Sequence, residues 1–160
     1  MLLYILRHAE AEAKITSDRD RRLTLHGREQ AKSVGRFCSE HKIFPEIILT
    51  SSVVRAKQTA EEVFAVLKKG ELIDAPWMAC GMDPNVAFEE LRAYKIFKSV
   101  MIVGHEPDLS CLIATLLGLK NAFSFEVKKG SLTLIEVKEF FFGAGILKWS
   151  LPPELLEVQK

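Results

Sequence analysis

Short, continuously apolar runs alternate along this chain with longer segments in which apolar residues recur every three or four positions. The first run spans residues 2–6, and similar runs cover residues 47–50 and 100–104. Such runs are typical of buried strands, and the three-and-four spacing is typical of amphipathic helices. One helix begins after Thr24, a candidate N-cap, and Pro45 marks the turn into the next strand. The alternation predicts a mainly parallel sheet with helices on both faces.

The same two signals place the remaining elements. Helical spacing predicts three more helices, over residues 56–67 before Gly70, about 85–95, and 109–117 before Gly118. Runs rich in β-formers predict a short strand at 72–73 and three late strands, at about residues 122–127, 131–138 and 145–151. The last two flank Gly143-Ala144-Gly145, which is typical of a hairpin turn. We therefore expect one domain over residues 1–160, an α/β protein built as a three-layer α/β/α sandwich, with a mainly parallel central sheet and added antiparallel strands.

Composition and charge exclude several classes of function. The 160 residues, 48% of them hydrophobic, suffice for one domain with a core of its own. With 22 basic and 21 acidic residues the net charge is +1, so the chain has no overall attraction to nucleic acid or anionic lipid. No stretch reaches the roughly 18–20 apolar residues of a membrane span, and the N-terminus lacks a signal-peptide pattern. We expect a cytoplasmic protein that binds neither nucleic acid nor membrane.

The three cysteines, Cys38, Cys80 and Cys111, are too few and too scattered for a disulfide framework or a zinc cluster. Cys38 and Cys111 fall within helical apolar patterns, so we expect both to be small core residues. Cys80 precedes Gly81 in a loop, and its role stays open at this stage.

Arginine and histidine side chains follow three of the predicted strands. Arg7 and His8 come directly after the first strand. His105 follows a later apolar strand, and Arg55 lies in the first turn of the helix after the second strand. The carboxyl ends of neighbouring parallel strands meet at one edge of a sheet, where open α/β sheets bind their ligands. Arginines supply bidentate donors that match phosphate oxygens, and helix N-termini add backbone N–H groups. These side chains therefore predict a phosphate site that needs no metal ion.

Motifs around these residues resemble the histidine phosphatase superfamily, and within it the short SixA-like phosphohistidine phosphatases. They stand in order along nearly the whole chain: Leu6-Arg7-His8-Ala9-Glu10, Leu23-Thr24-Leu25-His26-Gly27, Ser51-Ser52-Val53-Val54-Arg55-Ala56-Lys57-Gln58-Thr59, Gly104-His105-Glu106-Pro107, and Lys129-Gly130-Ser131-Leu132 in a late strand. The resemblance implies a single histidine phosphatase domain with a phosphoglycerate mutase-like fold. It implies that His8 is the nucleophile and is transiently phosphorylated. It also implies that Arg7, Arg55 and His105 bind the phosphoryl group, with no metal or other cofactor.

The chemistry of these residue types agrees with those roles. A nucleophilic imidazole must be neutral, and two arginines and a second histidine nearby disfavour protonation of His8. The charge of a transferring phosphoryl group lies on its equatorial oxygens, so Arg7, Arg55 and a protonated His105 would stabilise it electrostatically. Attack of water on phospho-His8 would then complete turnover.

The chain departs from the superfamily pattern in two loop positions and in its general acid. Ala9 stands where broader members have Gly, and Ser52 where they have Pro. The glutamate-bearing motif of the mutases and phosphomonoesterases is not found, and residues 79–84 offer only Asp83 as a candidate general acid. An alkoxide leaving group needs a proton, whereas an imidazole leaving group is far less basic. Phosphohistidine is therefore the favoured substrate.

Other side chains are candidates for contacts with substrate. Arg19, Arg21 and Arg22 could rim an open groove that faces an acidic partner surface, with Arg21 the nearest to phosphate. Ser51 and Glu106 adjoin the site residues and are further candidates for substrate binding. We expect His26 and His41, on a helix, to face solvent or to pack, not to act as ligands.

Three functions stay open from the sequence. The favoured one is a phosphohistidine phosphatase that acts on a phosphorelay or phosphotransfer protein through phospho-His8. The alternatives are a small-molecule phosphomonoesterase of the same superfamily and a non-catalytic module that binds a phosphorylated partner. A histidine metal site is disfavoured, because four scattered histidines lack ligand spacing and the arginines would repel a cation.

Overall fold

A six-stranded sheet lies at the centre of the molecule, with helices on both of its faces. The computed structural model describes residues 1–13, 17–124 and 126–156, with Phe123 described by its backbone alone. The strands are β1 (Leu2–Arg7), β2 (Ile47–Thr50), β3 (Glu71–Asp74), β4 (Ser99–Gly104), β5 (Leu132–Val137) and β6 (Gly145–Leu151). The helices are α1 (Leu25–Glu40), α2 (Val54–Leu67), α3 (Pro84–Arg92), α4 (Asp108–Leu117) and α5 (Pro153–Leu156).

The strands stand in the order β3-β2-β4-β1-β5-β6 across the sheet. Strands β1 and β2 flank β4 and run parallel to it, and β3 runs parallel to β2. Strand β5 pairs antiparallel with β1, and β6 pairs antiparallel with β5. The predicted mainly parallel sheet with late antiparallel strands is confirmed. Because β1, β4 and β2 are parallel neighbours, the residues that follow them meet at one edge of the sheet.

Two hydrophobic cores, one on each face of the sheet, hold the helical layers in place. Side chains alternate between the faces along a strand. On one face Leu3 and Ile5 of β1 share a core with Leu109 of α4. On the other face Leu6 shares a core with Val63 of α2. All five are fully buried, and burial of each such side chain stabilises the fold by about 1.5–3 kcal/mol. The predicted three-layer α/β/α sandwich is confirmed.

The predicted strand at residues 122–127 is wrong. The backbone forms a 3₁₀ turn at Ala122–Ser124, and residues 126–128 are irregular, while residue 125 lies outside the described residues. The physical reason is that both edges of β5 are already paired, one with β1 and the other with β6. The sheet therefore offers this β-rich segment no place beside β5.

Other element boundaries differ from the prediction by a few residues. Helix α2 begins at Val54, two residues before the predicted pattern, and ends as predicted at Leu67, but the left-handed residue that caps it is Lys68 and not Gly70. Helix α3 ends at Arg92, short of the predicted residue 95. Helix α4 ends, as predicted, at Gly118 with a positive φ of 70°. The predicted β5–β6 hairpin is confirmed, with a connection over residues 138–144.

All three cysteines are free thiols. Cys38 is a buried core residue, as predicted, and burial raises the pKa of its thiol to about 12. Cys111 is only half-buried on α4, so its predicted core position is realised in part, and Cys80 is exposed. Within the described ranges, no helix is both long enough and apolar enough to cross a membrane.

Candidate active site

The structure brings the four predicted site residues to the carboxyl edge of the central strands. Arg7 ends β1 in register with Gly104 of β4, and His8 continues that pairing by donating its backbone N–H to the carbonyl of Gly104 at 3.0 Å. The imidazole rings of His8 and His105 lie 5.3 Å apart between centroids. The Nε atom of Arg55, in the first turn of α2, lies 3.2 Å from Nε2 of His8. The convergence expected from parallel neighbouring strands is therefore present.

Two contacts hold the segment after β1 against the helices around the pocket. The backbone N–H of Ala9 donates to Oγ1 of Thr59, and that hydroxyl donates to the carbonyl of Arg55 at 2.7 Å. At the start of α1, a Cβ added to Gly27 would lie 1.9 Å from the carbonyl oxygen of Glu10. Only glycine permits this close approach. Thr59 and Gly27 thus position the loop that carries His8.

His8 is buried and is held in one tautomer. Its Nδ1 lies 2.8 Å from the carbonyl oxygen of Ala9, and because a carbonyl only accepts, Nδ1 must carry the proton. Nε2 therefore keeps its lone pair and accepts from Nε of Arg55. Burial, opposed by the hydrogen bond to Ala9 and assisted by the neighbouring His105, Arg55 and Arg7, lowers the pKa of His8 to about 3. The ring is neutral at pH 7, with the lone pair that a nucleophile requires.

His105 differs from the sequence-based expectation in its charge. It is 2% exposed, and burial, together with the charge of Arg55, lowers its pKa to about 4. The expected protonated His105 is therefore wrong for the free protein, because desolvation disfavours the imidazolium. Its Nε2 lies 2.8 Å from Oγ of Ser51, while its Nδ1 is buried without a partner among the described atoms.

Arg7 presents an unused donor to the pocket. Its Nη1 donates to the carbonyl of Val127 at 2.7 Å, whereas its Nε is buried without a partner among the described residues. Burial lowers the pKa of Arg7, and the carboxylates of Glu106 and Glu126 raise it. A guanidinium stays charged in proteins. A half-buried guanidinium with an unused buried donor is suited to bind an anionic ligand.

Arg55 is buried and already faces an anion from its own chain. Its Nη1 donates to the carbonyl of Asp18 at 2.7 Å, and its Nη2 lies 3.1 Å from Oδ2 of the same residue. Nη2 also lies 3.6 Å from Sγ of Cys80. Arg21 donates to Oδ1 of Asp18 at 3.0 Å, and the pKa of the Asp18 carboxyl is lowered, first by that bond. A phosphate entering the pocket would compete with Asp18 for Arg55.

Sequence reasoning missed Asp18, and it assigned Arg21 a more direct role than the structure shows. Asp18 lies in a polar loop without periodicity, and its only signal is that this loop follows His8. Arg21 donates to the carbonyl of Glu12 as well as to Asp18, so it reaches Arg55 through Asp18. Among the described contacts, Arg21 therefore holds Asp18, the carboxylate that would compete with phosphate for Arg55.

The other three predicted contact residues have defined positions. Ser51 is buried against His105. Glu106 accepts hydrogen bonds from the backbone N–H and the hydroxyl of Ser110 in α4. Asp83 is the exposed N-cap of α3, where its Oδ1 accepts from the backbone N–H of Asn85 at 2.7 Å. The described loop around residue 80 touches Arg55 through Cys80.

The remaining histidines lie on or beside α1, away from this cluster. His26 is exposed in the first turn of α1. His41 follows the last residue of the helix and stacks on Phe37, with ring centroids 4.2 Å apart. In the part of the chain that the structure describes, no three His, Cys, Asp or Glu residues are grouped to hold a metal ion. A reaction without metal stays a prediction.

The two buried histidines predict a pH dependence of stability. Their pKa values fall from 6.5 to about 3 for His8 and about 4 for His105, so the unfolded chain binds protons that the folded chain does not. Above pH 6.5 both histidines are neutral in the folded and in the unfolded chain, so they do not oppose folding. As the pH falls from 6.5 towards 4, protonation of the unfolded chain lowers the free energy of unfolding. We expect the free energy of unfolding to fall by about 1.4 kcal/mol per pH unit for each histidine. Urea unfolding at pH 7.5, 6 and 5 measures this slope, and a His8→Asn variant with an unchanged slope would contradict it.

The fold is that of a phosphoglycerate mutase-like α/β protein, with two arginines and two histidines gathered at the strand ends. The sequence model of the histidine phosphatase superfamily (branch 1) matches residues 3–76. The phosphohistidine phosphatase SixA homolog of Haemophilus influenzae is 31% identical over 135 residues, which cover 78% of this chain and 82% of that protein. This chain therefore belongs to the histidine phosphatase superfamily.

Two further comparisons cover almost the whole chain. The phosphohistidine phosphatase SixA of Escherichia coli is 28% identical over 171 aligned residues, with 100% of this chain and 99% of that protein covered. The solved structure of the protein histidine phosphatase SixA complexed with tungstate superposes with a TM-score of 0.88 at 25% identity, covering 98% of this chain and 99% of that one. These relatives indicate that the protein is a phosphatase.

Proposed function

We propose that this protein is a phosphohistidine phosphatase that removes the phosphoryl group from a histidine of a phosphorelay or phosphotransfer protein. The observation that carries the proposal is the neutral His8, whose Nε2 lone pair adjoins the buried guanidinium of Arg55. The names of the Haemophilus influenzae and Escherichia coli relatives support the substrate class. Tungstate, an oxyanion that mimics phosphate, in the related solved structure supports a phosphate pocket.

The reaction would proceed in two displacements at phosphorus. Nε2 of His8 attacks the phosphorus atom, the P–N bond of the substrate breaks, and its electron pair stays on the substrate imidazole, which takes up a proton. Water then attacks phospho-His8, the P–Nε2 bond breaks, its electron pair returns to Nε2, and phosphate leaves. Arg7 and Arg55 stabilise the charge on the equatorial oxygens in both steps. No metal ion takes part in this scheme.

The preference for phosphohistidine over a phosphomonoester rests on the leaving group. An alkoxide needs a general acid, whereas an imidazole leaves with far less assistance. Asp83 is engaged as the N-cap of α3, so its carboxylate is already in use in the free protein. The alternative function is a small-molecule phosphomonoesterase that uses Asp83 as its general acid. The proposed phosphotransfer partner implies that the protein acts in the cytoplasm.

A comparison of two substrates tests the proposal. We expect kcat/KM for a phosphohistidine-bearing phosphotransfer domain to exceed that for an alkyl phosphomonoester such as glycerol phosphate by about 100-fold or more, because the missing acid penalises only the release of an alkoxide. Asp83→Asn should leave the first value unchanged, since Asn is an equally good N-cap. A larger rate with the ester that is lost in Asp83→Asn would establish the alternative. Tight binding of the phosphorylated domain without phosphate release would establish a binding module.

A further inference from the structure

Ser51 lies beneath His105 and is fully buried. Its Oγ has two partners among the described atoms: the backbone N–H of Val53 at 3.3 Å and Nε2 of His105 at 2.8 Å. The first of these can only donate, so Ser51 accepts there. The orientation of the hydroxyl proton is then decided by the contact with His105.

Two proton arrangements can form this contact, and they differ in the buried groups that they leave without a partner. If Ser51 donates to Nε2, the hydroxyl proton has an acceptor, and the proton of the neutral ring resides on Nδ1 of His105. If Nε2 carried the ring proton and donated to Ser51, the buried hydroxyl proton would have no acceptor among the described groups. The first arrangement leaves one buried group without a partner among the described atoms, the Nδ1–H group, whereas the second leaves two, the Ser51 hydroxyl proton and the Nδ1 lone pair. Because each such group costs about 1–3 kcal/mol, the first arrangement is favoured.

The pocket favours the same tautomer for a second reason. Nδ1 of His105 is the ring nitrogen left without a partner, and the His105 ring lies beside His8, near the charges of Arg55 and Arg7. An anion in this pocket needs donors around it. A bare lone pair on Nδ1 would repel the oxygens of a phosphoryl group, whereas an Nδ1–H group would bind one of them.

We propose that Ser51 is a positioning residue that holds His105 as the Nδ1–H tautomer, and that this N–H group donates to the phosphoryl group. His8 and His105 would then share one tautomer but present opposite nitrogens to the phosphoryl group, a lone pair on Nε2 of His8 and a donor on Nδ1 of His105. Ser51 thereby acts through His105, in place of the direct substrate contact expected from its motif. The inference rests on the proposed function only in naming the phosphoryl group as ligand.

Ring nitrogen resonances of ¹⁵N-histidine-labelled protein test the tautomer directly. We expect His105 to show the Nδ1–H pattern in the wild type, and tungstate to shift its Nδ1 resonance. Ser51→Ala should mix the two tautomers and weaken tungstate binding by about tenfold, the effect of one lost hydrogen bond. Ser51→Thr should restore both, and Ser52→Ala, at the exposed neighbouring serine, should change neither. An Nε2–H pattern for wild-type His105 would overturn the inference.

A pair of amide substitutions tests which nitrogen binds the anion. In His105→Asn the amide lies where Nδ1 lies, whereas in His105→Gln it reaches the place of Nε2. We expect His105→Asn to bind tungstate about tenfold more tightly than His105→Gln, with thermal unfolding confirming that both variants fold. Equal or reversed affinities would overturn the inference. A wild type that shows the Nδ1–H pattern without hydrolysing phosphohistidine would instead overturn the proposed function alone.

Discussion

Replacing His8 by alanine is expected to lower the rate of phosphate release from a phosphohistidine-bearing domain by about 10⁴-fold or more, the effect seen when a nucleophile is removed. In the scheme proposed above, Nε2 of the neutral His8 ring is the atom that takes the phosphoryl group. Single-turnover measurements with radiolabelled substrate would show the loss. In the wild type, quenching with alkali should trap phosphate on the enzyme that is stable to alkali and labile to acid, and the variant should carry none.

The matched control for this variant is His41→Ala. His41 is exposed beyond the end of α1 and stacks on Phe37, so its loss should leave both the rate and the trapped phosphate unchanged. Retained turnover in His8→Ala would contradict the mechanism. Labelled phosphate found on His105 in that variant would identify His105 as the nucleophile.

Replacing Arg55 by alanine is expected to lower kcat/KM by about 10²–10³-fold, as removal of one preorganised charged donor does in other sites. Arg55 contacts His8 directly, and its charge lowers the pKa of both His8 and His105. The pH at which activity begins to fall on acidification should therefore rise in the variant. Arg55→Lys should recover only part of the rate, because an ammonium lacks the planar pair of donors. Pre-steady-state rates across pH 3–8 would measure both effects.

Asp18→Asn supplies the contrast to the Arg55 variants. Its carboxylate lies 3.1 Å from Nη2 of Arg55 and competes with any bound anion. Neutralising it should tighten tungstate binding, the opposite direction from Arg55→Ala. Asp20→Asn, at an exposed position in the same loop, should leave the affinity unchanged. Tighter binding in both variants would show that only the net charge of the loop matters.

Much of the fold follows from local signals. The apolar runs of β1, β2 and β4 and the amphipathic spacing of α1, α2 and α4 reflect burial on one or both faces, which any α/β packing requires. The failed strand at residues 122–127 shows the limit of such signals. β-propensity indicates that a segment fits a sheet, but only the pairing of β5 with both β1 and β6 decides that no place beside β5 is left for it.

In the candidate site, too, some residues follow from local sequence patterns and others only from tertiary contacts. Arg7, His8, Arg55 and His105 could be named because they stand directly after strands or in the first turn of a helix. Asp18 could not, because it contacts Arg55 across 37 positions of the chain and belongs to no periodic element. The neutral state of His105 in the free protein could not be predicted, because its burial depends on how tightly the strand ends and Ser51 enclose it.

Sequence alone determined which residues of this protein are candidates for phosphoryl chemistry, since residue type and position at a strand end are local properties of the chain. The tertiary structure decided the state of those residues. Burial made both histidines neutral, the carbonyl of Ala9 placed the lone pair of His8 on Nε2, and Asp18 was set against Arg55. Desolvation and hydrogen-bond partners are contributed by distant parts of the chain, so no local pattern encodes them.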